Sequence, residues 1–62
     1  MNLAAVRYVV ITGTDEAQVG RAINDKIVEG WQPQGGISAT LLHPTPGGPK
    51  VMWAQALVWY EL

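Results

Sequence analysis

The sequence of 62 residues contains no cysteine and a single histidine, His43. Without cysteine the chain can form neither a disulfide nor a thiolate metal site, and a zinc site would need mostly carboxylates. We therefore predict no bound metal and no cofactor. A chain of this length buries only about 60% of its unfolded surface, and small proteins commonly need disulfides, metals or self-association to compensate. We expect this chain to associate with copies of itself.

Long runs of one charge and long apolar runs are also absent. The sequence has four basic and five acidic residues, and a net charge of −1 does not favour binding to a nucleic-acid polymer. No apolar stretch approaches the roughly 20 residues that span a bilayer. The N-terminus lacks the basic segment and cleavage site of a signal peptide. We expect a cytoplasmic protein without membrane or nucleic-acid partners.

The residues that usually build an active site are few. Ser38 and His43 are the only serine and histidine, and they lie five apart on one predicted strand. Their side chains should point to opposite faces, so a catalytic pair would need a neighbouring subunit. Gly35 and Gly36 precede a predicted strand, whereas phosphate-binding and dinucleotide-binding glycines precede a helix. We predict that the protein is not an enzyme.

The first half of the chain predicts a strand followed by a helix. Residues 3–12 are rich in valine, isoleucine and tyrosine and predict a strand. Thr14 is the predicted N-cap, with two acidic residues in the first helical turn. Gly20 is interpreted as a point of close packing on a strand. Helical spacing puts four apolar residues on one stripe: Val19, Ala22, Ile23 and Ile27.

The stretch EGWQPQGGIS, residues 29–38, predicts the end of that helix. Gly30 stands where a left-handed C′ residue is needed, and Trp31 follows where an apolar C″ residue folds back on the last turn. Pro33 prevents continuation. A second strand is predicted from Ile37, a connector over 43–50, and a long apolar strand over 51–62.

The order β-α-β-β predicts a single α+β domain over residues 1–62. A right-handed crossover makes the first two strands parallel, and the hairpin makes the third antiparallel to its neighbour. The third strand is apolar on both faces, so we place it centrally, in sheet order 1-3-2. One helix covers one face. We expect the other face to mediate a dimer or tetramer, with Trp53 or Trp59 in the interface.

Four residues just after the helix are candidates for binding a ligand. Gly35 and Gly36 can expose backbone N–H groups as an anion nest, or they can simply form a tight turn. Gln34, beside the pair, is included in the candidate site. Trp31 is either a helix-end staple or a stacking surface for a ligand.

Two further candidates lie on the predicted strands. Gln55 is a lone amide in an apolar stretch, and its burial requires a hydrogen bond to another subunit or to the edge of a base. Arg7 lies mid-strand, where a guanidinium can bind phosphate oxygens in a bidentate manner. The alternative for Arg7 is an ion pair with Glu61 on the neighbouring strand.

Two stretches, EGWQPQGGIS and WAQALV, resemble a small family of bacteria and tailed phages that is described as a domain of unknown function. Its pattern is an N-terminal strand, a helix ending in EGW-x-P-x-GG, and a last strand with an aromatic residue before QA. The matching residues are Glu29, Gly30, Trp31, Pro33, Gly35, Gly36, Trp53, Gln55 and Ala56. The resemblance covers nearly the whole chain and implies no enzyme. It suggests a phage setting, and hence the host cytoplasm.

Two functional hypotheses follow from these observations. In the first, the protein is an oligomeric sponge that sequesters a cyclic nucleotide or similar small anionic nucleotide without turnover. Very small phage oligomers sequester the nucleotide signals of bacterial antiviral defence, and the resemblance extends that analogy to this chain. In the second, the protein is a structural or protein-binding adaptor with no small ligand.

Overall fold

The computed structural model describes residues 4–43 and 45–61. The elements are β1 (Ala4–Gly13), α1 (Glu16–Glu29), β2 (Gln32–Leu42) and β3 (Lys50–Glu61). The strands form one sheet in the order β1-β3-β2, and β3 is antiparallel to both neighbours. The predicted α+β class and strand order are confirmed. Leu3 and Leu62, at the ends of the predicted strands, lie outside the described residues.

The helix begins one residue later than the sequence predicted. Asp15, not Thr14, is the N-cap, and its carboxylate accepts the N–H groups of Ala17 and Gln18 at 3.0 and 3.2 Å. The N-cap prediction for Thr14 is therefore wrong. An aspartate at this position satisfies two backbone donors and also places a negative charge at the positive end of the helix dipole.

The helix ends as the sequence predicted. Gly30 has a φ of 115°, and its N–H donates to the carbonyl of Ile27 at 3.0 Å. The N–H of Trp31 donates to the carbonyl of Lys26, also at 3.0 Å. These two bonds form a Schellman motif, which satisfies carbonyls that the last helical turn would otherwise leave without partners.

The second strand begins five residues before its predicted start at Ile37. Its residues Gln32, Pro33 and Gln34 already pair with β3. Pro33 fits there because β2 is an edge strand, where a missing N–H need not break a ladder. The strand ends at Leu42, and the chain returns through a turn in which the N–H of Gly48 donates to the carbonyl of Thr45.

The two faces of the sheet follow from the register. Directly paired residues of an antiparallel ladder point to the same face, and successive residues alternate. A Cβ added at Gly13 would lie 2.8 Å from Val19, and Gly13 pairs with Trp53. The odd-numbered residues of β3 therefore lie on the side of α1, which we call the helix face. The opposite side, the open face, carries the even-numbered residues of β3 and the residues that pair with them.

The core between helix and sheet is small. Leu57 is fully buried on the helix face, where it pairs with Val9 and Pro33, and Val19 of α1 is also buried. Ile27, at the end of the predicted apolar stripe, stays 44% exposed. No heavy atom lies within 4 Å of a Cβ added at Gly20, so the interpretation of that glycine as a close-packing point is wrong.

Candidate functional site

A bulge of three residues in β2 is the main irregularity of the sheet. Gln34 pairs with Ala56, and the next pair along the strands is Ser38 with Ala54. Three residues of β2, numbers 35–37, thus oppose the single residue Gln55 of β3. A bulge of this kind bends its strand and leaves backbone groups without ladder partners.

The side chain of Gln55 donates hydrogen bonds to backbone carbonyls at this bulge. It is 7% exposed, and its Nε2 donates to the carbonyls of Gly35 at 3.1 Å, Gln34 at 3.4 Å and Ala56 at 3.0 Å. A buried amide needs such partners, because desolvation without hydrogen bonds is costly. From the sequence we expected Gln55 to make its hydrogen bonds to a partner subunit or to the edge of a base. The bulge of the same chain supplies them instead.

The glycine pair has a structural role within the bulge. Gly35 has a φ of 72°, in the left-handed region where glycine carries no steric cost, whereas Gly36 has no positive φ. Nothing lies within 4 Å of a Cβ added at either position, so the outer side of the bulge is open to solvent. Beside it, the hydroxyl of Tyr60 donates to Oε1 of Gln34 at 3.0 Å across the open face.

Trp31 lies in a second cluster at the end of the helix. Its ring meets the ring of Trp59 edge to face, with centroids 5.7 Å apart, and Nζ of Lys26 lies 5.5 Å from the Trp31 centroid. The indole N–H of Trp59 donates to Oε1 of Glu61 at 3.2 Å. Both indoles stay partly exposed. The cluster anchors the helix end on β3, and it also presents aromatic surface to solvent.

The position of Trp59 corrects one prediction. Trp53 and Trp59 are separated by a regular stretch of β3, and both lie on the helix face. The expectation that one of them faces away from the helix is therefore wrong. An even spacing keeps both on one face of a strand, and the contact between Gly30 and Trp59 shows which face it is.

Arg7 lies on the opposite edge of the sheet from the bulge. It pairs with Trp59 and is exposed. Among the described residues the ion pair that forms is Lys26 with Glu29, at 3.8 Å, and Glu61 instead stands opposite Ala4. The alternative of an Arg7–Glu61 ion pair is therefore wrong. Arg7, Trp59 and Trp31 form a row across the helix face, which we call the Arg–Trp row.

The six predicted ligand-binding residues thus fall into two places. The bulge brings together Gln34, Gly35, Gly36 and Gln55. The Arg–Trp row brings together Trp31 and Arg7, on either side of Trp59. Gln55 of the bulge and Trp59 of the row are four positions apart on β3, about 13 Å along an extended strand.

The chain matches no protein-family model, no curated protein and no solved structure. The resemblance noted from the EGW-x-P-x-GG stretch therefore stays a prediction.

A concave surface lies at the other end of the helix, where sequence reasoning placed no site. It encloses about 410 Å³ and is lined by residues 11–15, Gln18, Val19 and Ala22. Its carboxylate, Asp15, is already engaged as the helix N-cap. The rest of the lining offers no second charged group for a ligand.

Residues 4–43 and 45–61 contain no group of three histidine, aspartate or glutamate side chains that could hold an ion. In the same part of the chain no helix is long and apolar enough to cross a bilayer.

The hydroxyl of Ser38 donates to the carbonyl of Ala54 at 3.4 Å, and Ser38 is exposed on β2.

Proposed function

We propose that the protein is a non-enzymatic binding protein that works as a homo-oligomer. The observation that carries this proposal is the imbalance between core and apolar surface. Within the described residues the buried apolar side chains are Val19, Leu57 and Val58. Large apolar side chains remain exposed on every element except β3: Tyr8, Val10, Ile27, Val28, Ile37 and Leu41.

The shape of the chain supports the same proposal. Its radius of gyration is 14.0 Å, whereas a compact chain of this length has about 11 Å. It measures 50 × 17 × 14 Å, because the β2–β3 hairpin runs beyond the helix. The 14 helical residues span about 21 Å, so they cover only part of β3. A hairpin with apolar residues on both faces is stable when another chain covers it.

The first expected result concerns the mass of the protein in solution. Light scattering at micromolar concentration should give the mass of a dimer or a tetramer. A dilution series should then show that the thermal midpoint falls with concentration, because association stabilises only the folded state. A monomer whose midpoint is independent of concentration would contradict the proposal.

We further propose that the ligand is a small anionic nucleotide, held without turnover, as in a phage-type sponge that acts in the host cytoplasm. The Arg–Trp row supports this ligand. Arg7 is an exposed guanidinium without an ion-pair partner among the described residues, and it pairs across the strands with Trp59, whose partly exposed indole meets that of Trp31. Guanidinium groups bind phosphate and indole rings stack on bases.

A protein-binding adaptor without a small ligand is the second candidate. The observation that favours it is the burial of Gln55, whose amide is satisfied by its own chain and so needs no base edge. In that case the exposed apolar side chains meet other proteins, and the row has no ligand.

A ligand screen with an arginine variant separates the two candidates. Cyclic dinucleotides and related signals should raise the thermal midpoint, since a ligand at 100 times its Kd adds about 2.7 kcal/mol. Arg7→Ala should weaken nucleotide binding at least about tenfold, or about 1.4 kcal/mol, in calorimetry. The bound nucleotide, recovered from denatured protein, should be intact.

Lys50→Ala is the matched control, because Lys50 is also an exposed cation but stands at the far end of the hairpin. It should leave affinity unchanged. Equal losses in both variants would indicate general charge attraction and contradict the assignment of Arg7. If no nucleotide shifts the midpoint, the adaptor is the better account, and cleavage above background would contradict both.

A further inference from the structure

The sheet has two outer edges, and they differ in how well they resist pairing with another chain. On β2 the edge is interrupted by Pro33, which has no N–H, and by the bulge at residues 35–37. On β1 the register shift lies between Ala5 and Arg7, and the run from Arg7 to Gly13 pairs continuously with β3. This run contains no proline and no lysine. Natural sheets use those devices to prevent edge pairing, so the β1 edge is the unprotected one.

We propose that two copies of the chain pair through this edge, with β1 antiparallel to β1 of the partner subunit, in one continuous six-stranded sheet. The proposal rests on the self-association proposed above and adds the surface that performs it. A two-fold axis normal to the sheet relates antiparallel neighbours, so both helices lie on the same side. The two open faces then join into a single larger face.

The sequence of β1 selects the register. Centring the two-fold axis on Val10 uses the whole run from Arg7 to Gly13. It sets Val10 opposite Val10 of the partner subunit, and Tyr8 opposite Thr12 of the partner subunit. Pairs of β-branched and aromatic residues stabilise a sheet. Both Tyr8 and Val10 are exposed in the single chain, by 65% and 50%.

Charge favours the same register. Arg7 is the only charged residue of β1. An axis near Arg7 would bring two guanidinium groups together, whereas an axis at Val10 separates them by about 20 Å along the strands. Interactions over that distance are largely screened at physiological salt.

The surface area also fits a dimer. The chain exposes 4529 Å², whereas a folded chain of 6.7 kDa exposes about 3,900 Å². The excess is about 600 Å² per chain, and an interface that removed it from two copies would bury about 1,200 Å², the lower end of stable interfaces.

Because the chain has no cysteine, single cysteines test the register directly. Paired residues have Cα atoms about 4.5–5.5 Å apart, which a disulfide can bridge. Under mild oxidation Val10→Cys should dimerise at least about tenfold faster than Val28→Cys, since positions more than about 7 Å apart cannot be bridged. Val28 is the control because it is 88% exposed on the helix. A mixture of Tyr8→Cys and Thr12→Cys should cross-link rapidly, because these two positions stand opposite each other in the proposed register. Either variant alone should cross-link slowly, because two copies of the same position are about 13 Å apart along the strands.

Leu41→Cys provides a second control, since Leu41 is 61% exposed on the other edge strand. Cross-linking fastest at Leu41→Cys, or equal at Val10→Cys and Val28→Cys, would overturn the β1 interface. So would a mixture of Tyr8→Cys and Thr12→Cys that reacts no faster than either variant alone. The mass of the unaltered chain keeps the two proposals apart. A dimer that cross-links elsewhere contradicts the β1 edge alone, whereas a monomer contradicts self-association as well.

Discussion

Gln55→Leu is expected to lower the free energy of unfolding by about 2–4 kcal/mol, since each buried group left without a hydrogen bond costs about 1–3 kcal/mol. Leucine has a similar volume but donates nothing, so the carbonyls of Gln34 and Gly35 lose the amide that now reaches them. The total stability of a chain of this length is only about 3–9 kcal/mol, so the loss is a large share of it. Urea unfolding at a fixed protein concentration measures the change.

Gln34→Leu is the control, because it makes the same chemical change at an exposed position in the same bulge. Its side chain accepts one hydrogen bond, from Tyr60, and stands in solvent. The expected loss is under about 1 kcal/mol, as for other exposed substitutions. Equal losses in the two variants would show that Gln55 does not hold the bulge.

Gly30→Ala is expected to destabilise the chain by about 2–5 kcal/mol through two effects that add. The φ of 115° is unfavourable for any residue with a Cβ, at about 1–2 kcal/mol. The new methyl group would also lie 2.9 Å from the ring of Trp59, and overpacking of this kind costs about 1–3 kcal/mol. The same unfolding experiment applies.

Two other glycines separate these effects. Gly35→Ala places a methyl group at a φ of 72° with nothing within 4 Å, so it should show the backbone cost alone, about 1–2 kcal/mol. Gly20→Ala lies in open space within the helix and should stabilise the chain by up to about 1 kcal/mol. If Gly30→Ala and Gly35→Ala cost the same, the contact with Trp59 has no energetic role.

Local chemistry made much of the fold predictable. Gly30 and Trp31 could be assigned to the helix end because few residues adopt the left-handed conformation that a Schellman motif requires. We predicted the central position of β3 from apolar residues at both its odd and its even positions, because a central strand is shielded from water better than an edge strand. The N-cap was missed by one residue, because Thr14 and Asp15 are both good caps and only the backbone path selects one.

The candidate site was less predictable, because its residues meet across strands. Each of the six residues was identified from its own neighbours in sequence, yet the register shift in β2 decides which of them share a place. A bulge depends on how many residues two strands place between fixed pairs, and that number is not encoded in either strand alone.

By itself, the sequence determined the order of the elements, the helix end and the strand order, because these depend on short-range sterics and on which residues avoid water. Only the tertiary structure decided that Gln55 binds the bulge of its own chain, that the face shared by Trp53 and Trp59 is the helix face, and that Arg7 stands beside Trp59 rather than the glycine pair. These facts depend on cross-strand register. A shift of one residue would exchange the two faces of a strand, and the local sequence changes little between the two registers.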